Sequence, residues 1–434
     1  MTPAPAPAVG ETMYQLIAEL YPVCRSITGD GVRRTLTRLQ QEVPLVIREV
    51  PSGTPVLDWT IPDEWNIRDA WIKNRRGTRV VDFGESNLHV VSYSLPVQGT
   101  FSLAELLPRL HSLPGQPDRI PYRTSYHERT WGFCVSEQQK QQLTEDAYEV
   151  CIDATLSPGS LSYGELLIPG RTADEVLLSA HVCHPSLAND NLSGVVLALM
   201  LAKWALGQPR RYSYRLLLAP GTIGAIAWLA ANEDLTPRIR HGLVLAGVGD
   251  RGPVTYKRSR RGNAPVDLAA AHVLRHAGNA APPRDFVPYG YDERQYCSPG
   301  YDLPVGCFMR TPHDEYPEYH TSGDDLTFVS PEALAESYDL VRRILEILES
   351  DAVYLNRQPK GEPHLGRRGL YDRPLPGASL AESRAALLWV LSLSDGSWSL
   401  LEIAERSGLP YSAIKGAADV LAAADLLLAA GSPG

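Results

Sequence analysis

Between His181 and Asn191 the sequence HVCHPSLANDN sets two histidines, one thiol, one aspartate and two asparagines within eleven residues. Imidazole nitrogens, thiolates and carboxylates are the donors that divalent zinc takes. The run DEVLLSA leads straight into this segment and reads as a buried strand, so the donors sit at a strand end. Farther along, Asp250 closes HGLVLAGVGD and His320 lies in EYHTSGDDL. His181, Asp190, Asp250 and His320 together offer a nitrogen and carboxylate ligand set. Each fragment also has an ordinary reading: a satisfied polar histidine, an Asp-Asn turn or N-cap before a helix, a Ser-Gly-Asp turn. Their joint placement argues for a site. His181, Gly221 and Asp250 each fall just past an expected strand, and open α/β sheets bind ligands outside the carboxyl ends of their strands.

The elements that must position these residues alternate from residue 136 to 370. Strands are expected at YEVCIDATL, EVLLSAHV, YRLLLAP, HGLVLAGVG and LPVGCFM. Helices are expected at SGVVLALMLAKWAL, TIGAIAWLAAN, APVDLAAAHVLRHAG and PEALAESYDLVRRILEILES. This alternation predicts an α/β fold, a mostly parallel central sheet with helices on both faces. Residues 11–45 read as helix and join that core. Residues 46–135, rich in aromatic and β-branched residues broken by proline, predict a β-rich inserted subdomain. Residues 1–10 read as a disordered tail. After the Gly/Pro/Arg-rich stretch 361–379, residues 376–434 have the helix and turn spacing of a winged helix-turn-helix.

The 434 residues carry a net charge of −9, with 44% hydrophobic and 21% charged side chains, which fits a soluble multidomain chain and disfavours general affinity for nucleic acid or anionic membrane. No apolar run reaches the roughly 20 residues that span a bilayer. The N-terminus has neither the basic nor the apolar region of a secretory signal, and six scattered cysteines form no CxxC pair, so a cytoplasmic location with reduced thiols is expected. The terminal module holds Arg384, Arg406 and Lys415 against Glu382, Asp395, Glu402, Glu405, Asp419 and Asp425. A DNA reader needs a basic recognition helix. Packing, partner docking or homo-oligomerisation, through this module or the inserted one, is the expected role.

CHPSLANDNLSG, YGYDERQYCSPG, LPVG and EYHTSGDDL resemble a bacterial family of aminopeptidase-like proteins within the co-catalytic zinc aminopeptidase clan, which also contains glutaminyl cyclases. Members of that family often accompany polysaccharide or natural-product biosynthesis genes. They share the inserted subdomain, matched here by NLHVVSYSLPVQG and TSYHERTWGFC, and the C-terminal winged helix. The resemblance implies one or two zinc ions. It implies His181 as a terminal ligand, Asp190 as the carboxylate shared by two metals, Asp250 as a further ligand and His320 as the terminal histidine of the second metal. Cys183 stands where the clan carries an aspartate behind the first histidine, which makes His184 an additional ligand or supporting donor. The clan's general base and a glutamate ligand follow the third strand. Here the sequence is APGTIGA, with Gly221 at the position of the base and Thr222 at that of the ligand.

Glycine cannot take a proton. Loss of a general base costs about 10² to 10⁴ in rate. Glu293 is the leading replacement, with Glu315 and Glu318 behind it; the substrate could also bring its own base. Arg294 suits a bidentate grip on a carboxylate, or an ion pair with Asp292 or Glu293. Tyr291, Tyr296, Tyr319 and Arg310 are expected around the same cavity. YKRSRRG (256–262) reads as a solvated basic loop or an anion-receiving one. The expected function is zinc-dependent amide hydrolysis of a small amino-acyl or peptide-like substrate. The alternative is a repurposed or inactive relative that binds a peptide-like ligand or catalyses a different reaction, and a third reading is a ligand-sensing regulator.

Overall fold

The computed structural model describes residues 6–126, 128–278, 281–372, 374–375 and 378–430. The chain divides into two compact units, Met1–Gly262 with Arg284–Asp339, and Asn263–Pro283 with Leu340–Gly434. In the first, the strands of the two larger sheets are β1 (Val46–Pro51), β2 (Glu64–Lys73), β3 (Arg79–Asp82), β4 (Val97–Ser102), β5 (Ala147–Ser157), β6 (Ser160–Ile168), β7 (Glu175–His181), β8 (Ser213–Ala219), β9 (Ile239–Leu245), β10 (Thr255–Lys257) and β11 (Val305–Met309). Helix α1 (Gly194–Leu206) follows β7 and helix α2 (Ile223–Ala231) follows β8.

Seven strands form the central sheet in the order β1-β6-β8-β7-β9-β11-β10. The inner four, β8, β7, β9 and β11, run parallel; β1, β6 and β10 are antiparallel additions at the edges. β7 and β8 are buried at every position, as a strand covered on both faces must be. Leu177 and Leu178 are fully enclosed, and burying such a side chain contributes roughly 1.5–3 kcal/mol. Helix α1 has no polar face, apart from Lys203 near its end, and is correspondingly buried over most of its length. The chain leaves β7 toward β8 on one side and leaves β9 toward β11 on the other. The crevice between their carboxyl ends is therefore the topological switch point.

Three boundaries differ from the sequence reading. β1, expected in the inserted segment, pairs with β6 on the edge of the central sheet. YEVCIDATL, expected as a core strand, is β5, and it pairs with β2 and β4 in a separate four-stranded sheet of order β3-β2-β5-β4. Its apolar residues alternate (Tyr148, Val150, Ile152, Ala154), the pattern of a strand with one covered face rather than two. The first helix, Ala6–Leu20, begins inside the stretch read as a tail; residues 1–5 lie outside the described residues.

The second unit contains the winged helix. Val353–Asn356 pairs with Asp395–Ser399 and with Leu427–Ala429, so this small sheet takes a strand from before the Gly/Pro/Arg-rich stretch. Three helices, Leu380–Leu393, Leu400–Ser407 and Tyr411–Ala423, pack together with it. Ser379 and Ser399 each cap a helix through a reciprocal bond with a glutamate three residues on.

A candidate metal centre at the switch point

His181 is the last residue of β7 and is 4% exposed; Asp190 is 1% exposed. His181 Nε2 lies 2.8 Å from Asp190 Oδ1. Donor atoms of His181, His184 and Asp190 all lie within 4.8 Å of one another. His320 Nε2 comes from the far end of the chain to 3.0 Å from Asp190 Oδ2. That pair is close but lacks hydrogen-bond geometry, and both atoms are buried with no hydrogen-bond partner. A buried polar atom left unsatisfied costs about 1–3 kcal/mol, and the donors of this pair suit a shared cation.

Local structure explains how these side chains converge. Asp324 accepts the backbone N–H groups of Asn189 and Asp190, at 2.6 and 2.9 Å, and so fixes the loop between β7 and α1. Burial pushes the Asp324 carboxyl up to about 8, against the pull of those N–H groups. Asn191 ties the loop to β9 by donating to Leu245 O at 3.0 Å, and its Nδ2 faces His181 Nδ1 at 3.3 Å. His320 sits at a left-handed φ of 52°, and its carbonyl accepts the Tyr122 N–H at 2.7 Å. Tyr122, from the inserted segment, places its ring 5.1 Å from those of both His184 and His320. Tyr291 stacks on His181 at 5.3 Å and Tyr319 on His320 at 4.0 Å.

The electrostatics suit a cation. Burial works against a charge on Asp190, but the imidazoles around it, His181 bonded directly, outweigh it and hold the carboxyl well below its usual range. Burial drives His184 down to about 3 against the pull of Asp190, so its imidazole has a nitrogen lone pair to give. Burial opposes an imidazolium at His181 also, but the Asp190 bond prevails and raises it.

Asp250 does not join this cluster. Its Oδ1 accepts from Gly252 N and Thr311 Oγ1, both at 2.7 Å, and its Oδ2 from Asn189 Nδ2 at 3.1 Å. With its lone pairs taken, Asp250 braces the loop that carries Asp190, and His184 takes the fourth place in the cluster.

The cluster opens on a cavity of about 470 Å³, lined among others by Trp59, Tyr122, Gly221, Thr222, Tyr291, Asp292, Arg294 and Tyr319. At Gly221 an added Cβ would meet His181 Cβ at 3.5 Å and Cys183 Sγ at 3.6 Å, so a side chain has room there. The Gly221 N–H donates to Cys183 Sγ at 3.2 Å, and burial pushes that thiol up to about 12, which keeps it protonated. Ile223 N donates to Gly221 O at 2.8 Å across Thr222, which is held at φ 61°, ψ −71°. A β-branched residue in such a γ-turn is strained by about 1–3 kcal/mol. Asp292 Oδ1 holds the turn by accepting the Thr222 N–H at 2.6 Å.

Glu293, the expected replacement base, is turned away from the cavity. It is fully buried and ion-paired with Lys257, itself 4% exposed, whose ammonium also donates to Tyr289 O at 2.8 Å. Glu315 is held by Arg284 at 2.5 Å and Glu318 by Arg119 at 2.8 Å. Asp292, one residue before Glu293, lines the cavity, as Asp190 does. Burial raises its carboxyl, and nearby His181 works in the opposite sense.

Residues 14–351 match a family described as a domain of unknown function, DUF4910, and residues 352–429 match a winged helix-turn-helix family. The chain belongs to the DUF4910 family. A Clostridium acetobutylicum relative, provisionally named a polysaccharide biosynthesis protein with an aminopeptidase-like domain, is 48% identical over 418 residues, 96% of each chain. A crystal structure from the same organism, provisionally named a peptidase, matches with a TM-score of 0.93 at 47% identity over 98% of this chain and 97% of that one. A zinc aminopeptidase from Bacillus subtilis matches with a TM-score of 0.59 at 14% identity, over 80% of this chain and 96% of that one, a likeness of fold. This DUF4910 chain is thus an aminopeptidase-fold protein with a C-terminal winged helix.

Of the other expected site residues, Arg294, Tyr291 and Tyr319 line the cavity. Arg294 Nη2 approaches Thr222 Oγ1 at 3.3 Å, its Nε has no partner, and among the described residues no carboxylate pairs with it. Arg310 is elsewhere: it braces Gly252 O at 2.9 Å and Glu336 at 2.8 Å. Tyr296 is buried against Ser179 Oγ at 2.8 Å. The basic run 256–262 is consumed by Glu293, Asp285 and Asp302. Tyr122, Asp324 and the cavity-facing role of Asp292 escaped the sequence reading. The aromatic density of IPYRTSY and the double aspartate of SGDD were the available signals.

Proposed function

We propose that the protein is a zinc-dependent amidohydrolase of aminopeptidase type, acting on a small amino-acyl or peptide-like substrate. The observation that carries this reading is the orphaned pair, Asp190 Oδ2 and His320 Nε2, beside His181 and His184. Three imidazoles and a carboxylate are a zinc donor set, and Asp190, with one oxygen toward His181 and the other toward His320, serves one ion or two. Bound there, zinc would supply Lewis-acid polarisation of a substrate carbonyl. The chain itself supplies the rest. Arg294 offers an unpaired guanidinium to a substrate carboxylate. Tyr291, Tyr319 and Tyr122 give the cavity flat apolar walls and restrict water around the histidines. The name of the Clostridium relative supports a substrate from a polysaccharide pathway.

One observation favours a second reading, a binding protein that has given up hydrolysis. Gly221 leaves the base position empty, and Glu293, Glu315 and Glu318 are each engaged by a cation. Metal analysis joined to turnover of an aminoacyl 7-amido-4-methylcoumarin panel separates the two. Zinc with turnover supports the hydrolase; zinc without turnover of any member supports the binding protein.

For the winged helix we favour a packing or docking role. Within its unit, Lys415 of helix Tyr411–Ala423 is paired with Asp419, and the Tyr411 N–H at that helix's start donates to His272 Nε2 at 2.9 Å. A DNA reader presents that helix start to base edges.

A further inference from the structure

We propose that Asp292 is the catalytic proton acceptor that stands in for the carboxylate missing at Gly221; this rests on the hydrolase reading above. Three observations converge on it. Asp292 lines the same cavity as His181, His184 and Gly221, whereas its neighbour Glu293 points into the protein toward Lys257. Its Oδ1 is anchored by the Thr222 N–H at 2.6 Å, which fixes the carboxylate beside the vacated position and leaves Oδ2 for the cavity. Among the described residues no Lys, Arg or His forms an ion pair with it, in contrast to Glu293, Glu315 and Glu318. A base must be oriented, within reach and not already claimed by a cation. Asp292 is oriented by the Thr222 N–H, shares the cavity and is claimed by no cation, and it comes from a different chain segment than the one that lost its side chain.

The step balances without a further reactant. Asp292 takes one proton from water as the water oxygen bonds to the amide carbonyl carbon. The C–N bond then breaks, and Asp292 returns that proton to the leaving nitrogen, giving a carboxylic acid and a free amine. The strained turn at Thr222 has a purpose in this scheme: it aims a backbone N–H at Asp292 and fixes the carboxylate in the cavity wall.

The test compares wild type, D292N and D292N/G221E on the aminoacyl 7-amido-4-methylcoumarin panel, with zinc content and Tm measured for each. Asparagine still accepts the Thr222 N–H, so the turn is kept. D292N is expected to lower kcat by about 10² to 10⁴ with KM and zinc content unchanged. Adding G221E is expected to recover at least about tenfold, because a side chain has room at 221 beside His181. If D292N does not fold, D292S is read by the same criteria. Wild-type turnover that survives in D292N overturns the role of Asp292 and leaves the hydrolase reading standing. Loss of zinc from a folded D292N also overturns it, by making Asp292 a support for the metal. A zinc-loaded wild type that turns over no panel member overturns both.

Discussion

Two clusters of histidine and carboxylate among the described residues differ in how far their bonding capacity is met. In the winged-helix unit His272 is fully satisfied: Nδ1 meets Glu405 at 2.7 Å, and Nε2 accepts the Tyr411 N–H at 2.9 Å. Arg275 closes on both Glu405 oxygens, at 2.7 and 2.6 Å. At the sheet's switch point, Asp190 Oδ2 and His320 Nε2 lie 3.0 Å apart without hydrogen-bond geometry, and neither has another hydrogen-bond partner among the described residues. Both join a buried histidine to a carboxylate, Asp190 being 1% exposed and Glu405 25%. The difference is unmet bonding capacity, which a structural cluster removes and a binding site keeps for its ligand.

The largest effect that would break this contrast is at Asp190. D190A is expected to lose bound zinc and to lower kcat/KM on a cleaved aminoacyl coumarin by about 10³-fold or more, since several kcal/mol of charge stabilisation go with the metal. Unchanged zinc content in D190A would reduce this cluster to the status of the His272 one. Next is Arg294. R294A should raise KM about tenfold or more for substrates bearing a carboxylate, the worth of a charged hydrogen bond, and leave esterified analogues unaffected. H272A sharpens the contrast from the other side. It should cost about 1–3 kcal/mol in urea unfolding, by stranding the Tyr411 N–H, with zinc content and kcat unchanged. K415A is the smallest: breaking its i,i+4 pair with Asp419 should cost no more than about 0.5 kcal/mol.

Much of this arrangement was legible in the sequence, and the failures are instructive. β7, β8 and α1 are readable because burial on all sides writes uninterrupted apolar runs. His181 is readable because it lies where a strand ends, and Asp190 and His320 because they sit in the motifs ANDNLSG and EYHTSGDDL. Asp250 looked equivalent but is not. Whether a carboxylate at a strand end faces a metal or a brace depends on Thr311 and Asn189, which sequence spacing does not bring to it. The exchange of Asp292 for Glu293 has a similar cause. The two are adjacent and chemically alike, and a lysine in β10 decides which one turns inward. β5 was misassigned to the core although its alternation was visible, because the strand-helix rhythm of the following residues was extended over it.

The most direct test of the central claim is the zinc content of purified wild-type protein set against H181A, D190A and H320A, measured by inductively coupled plasma mass spectrometry after dialysis against trace zinc. One or two zinc ions per wild-type chain, with none retained in H181A or D190A and a reduced content in H320A, is the expected result. A folded wild type that retains no zinc, or variants that retain as much as wild type, would contradict it.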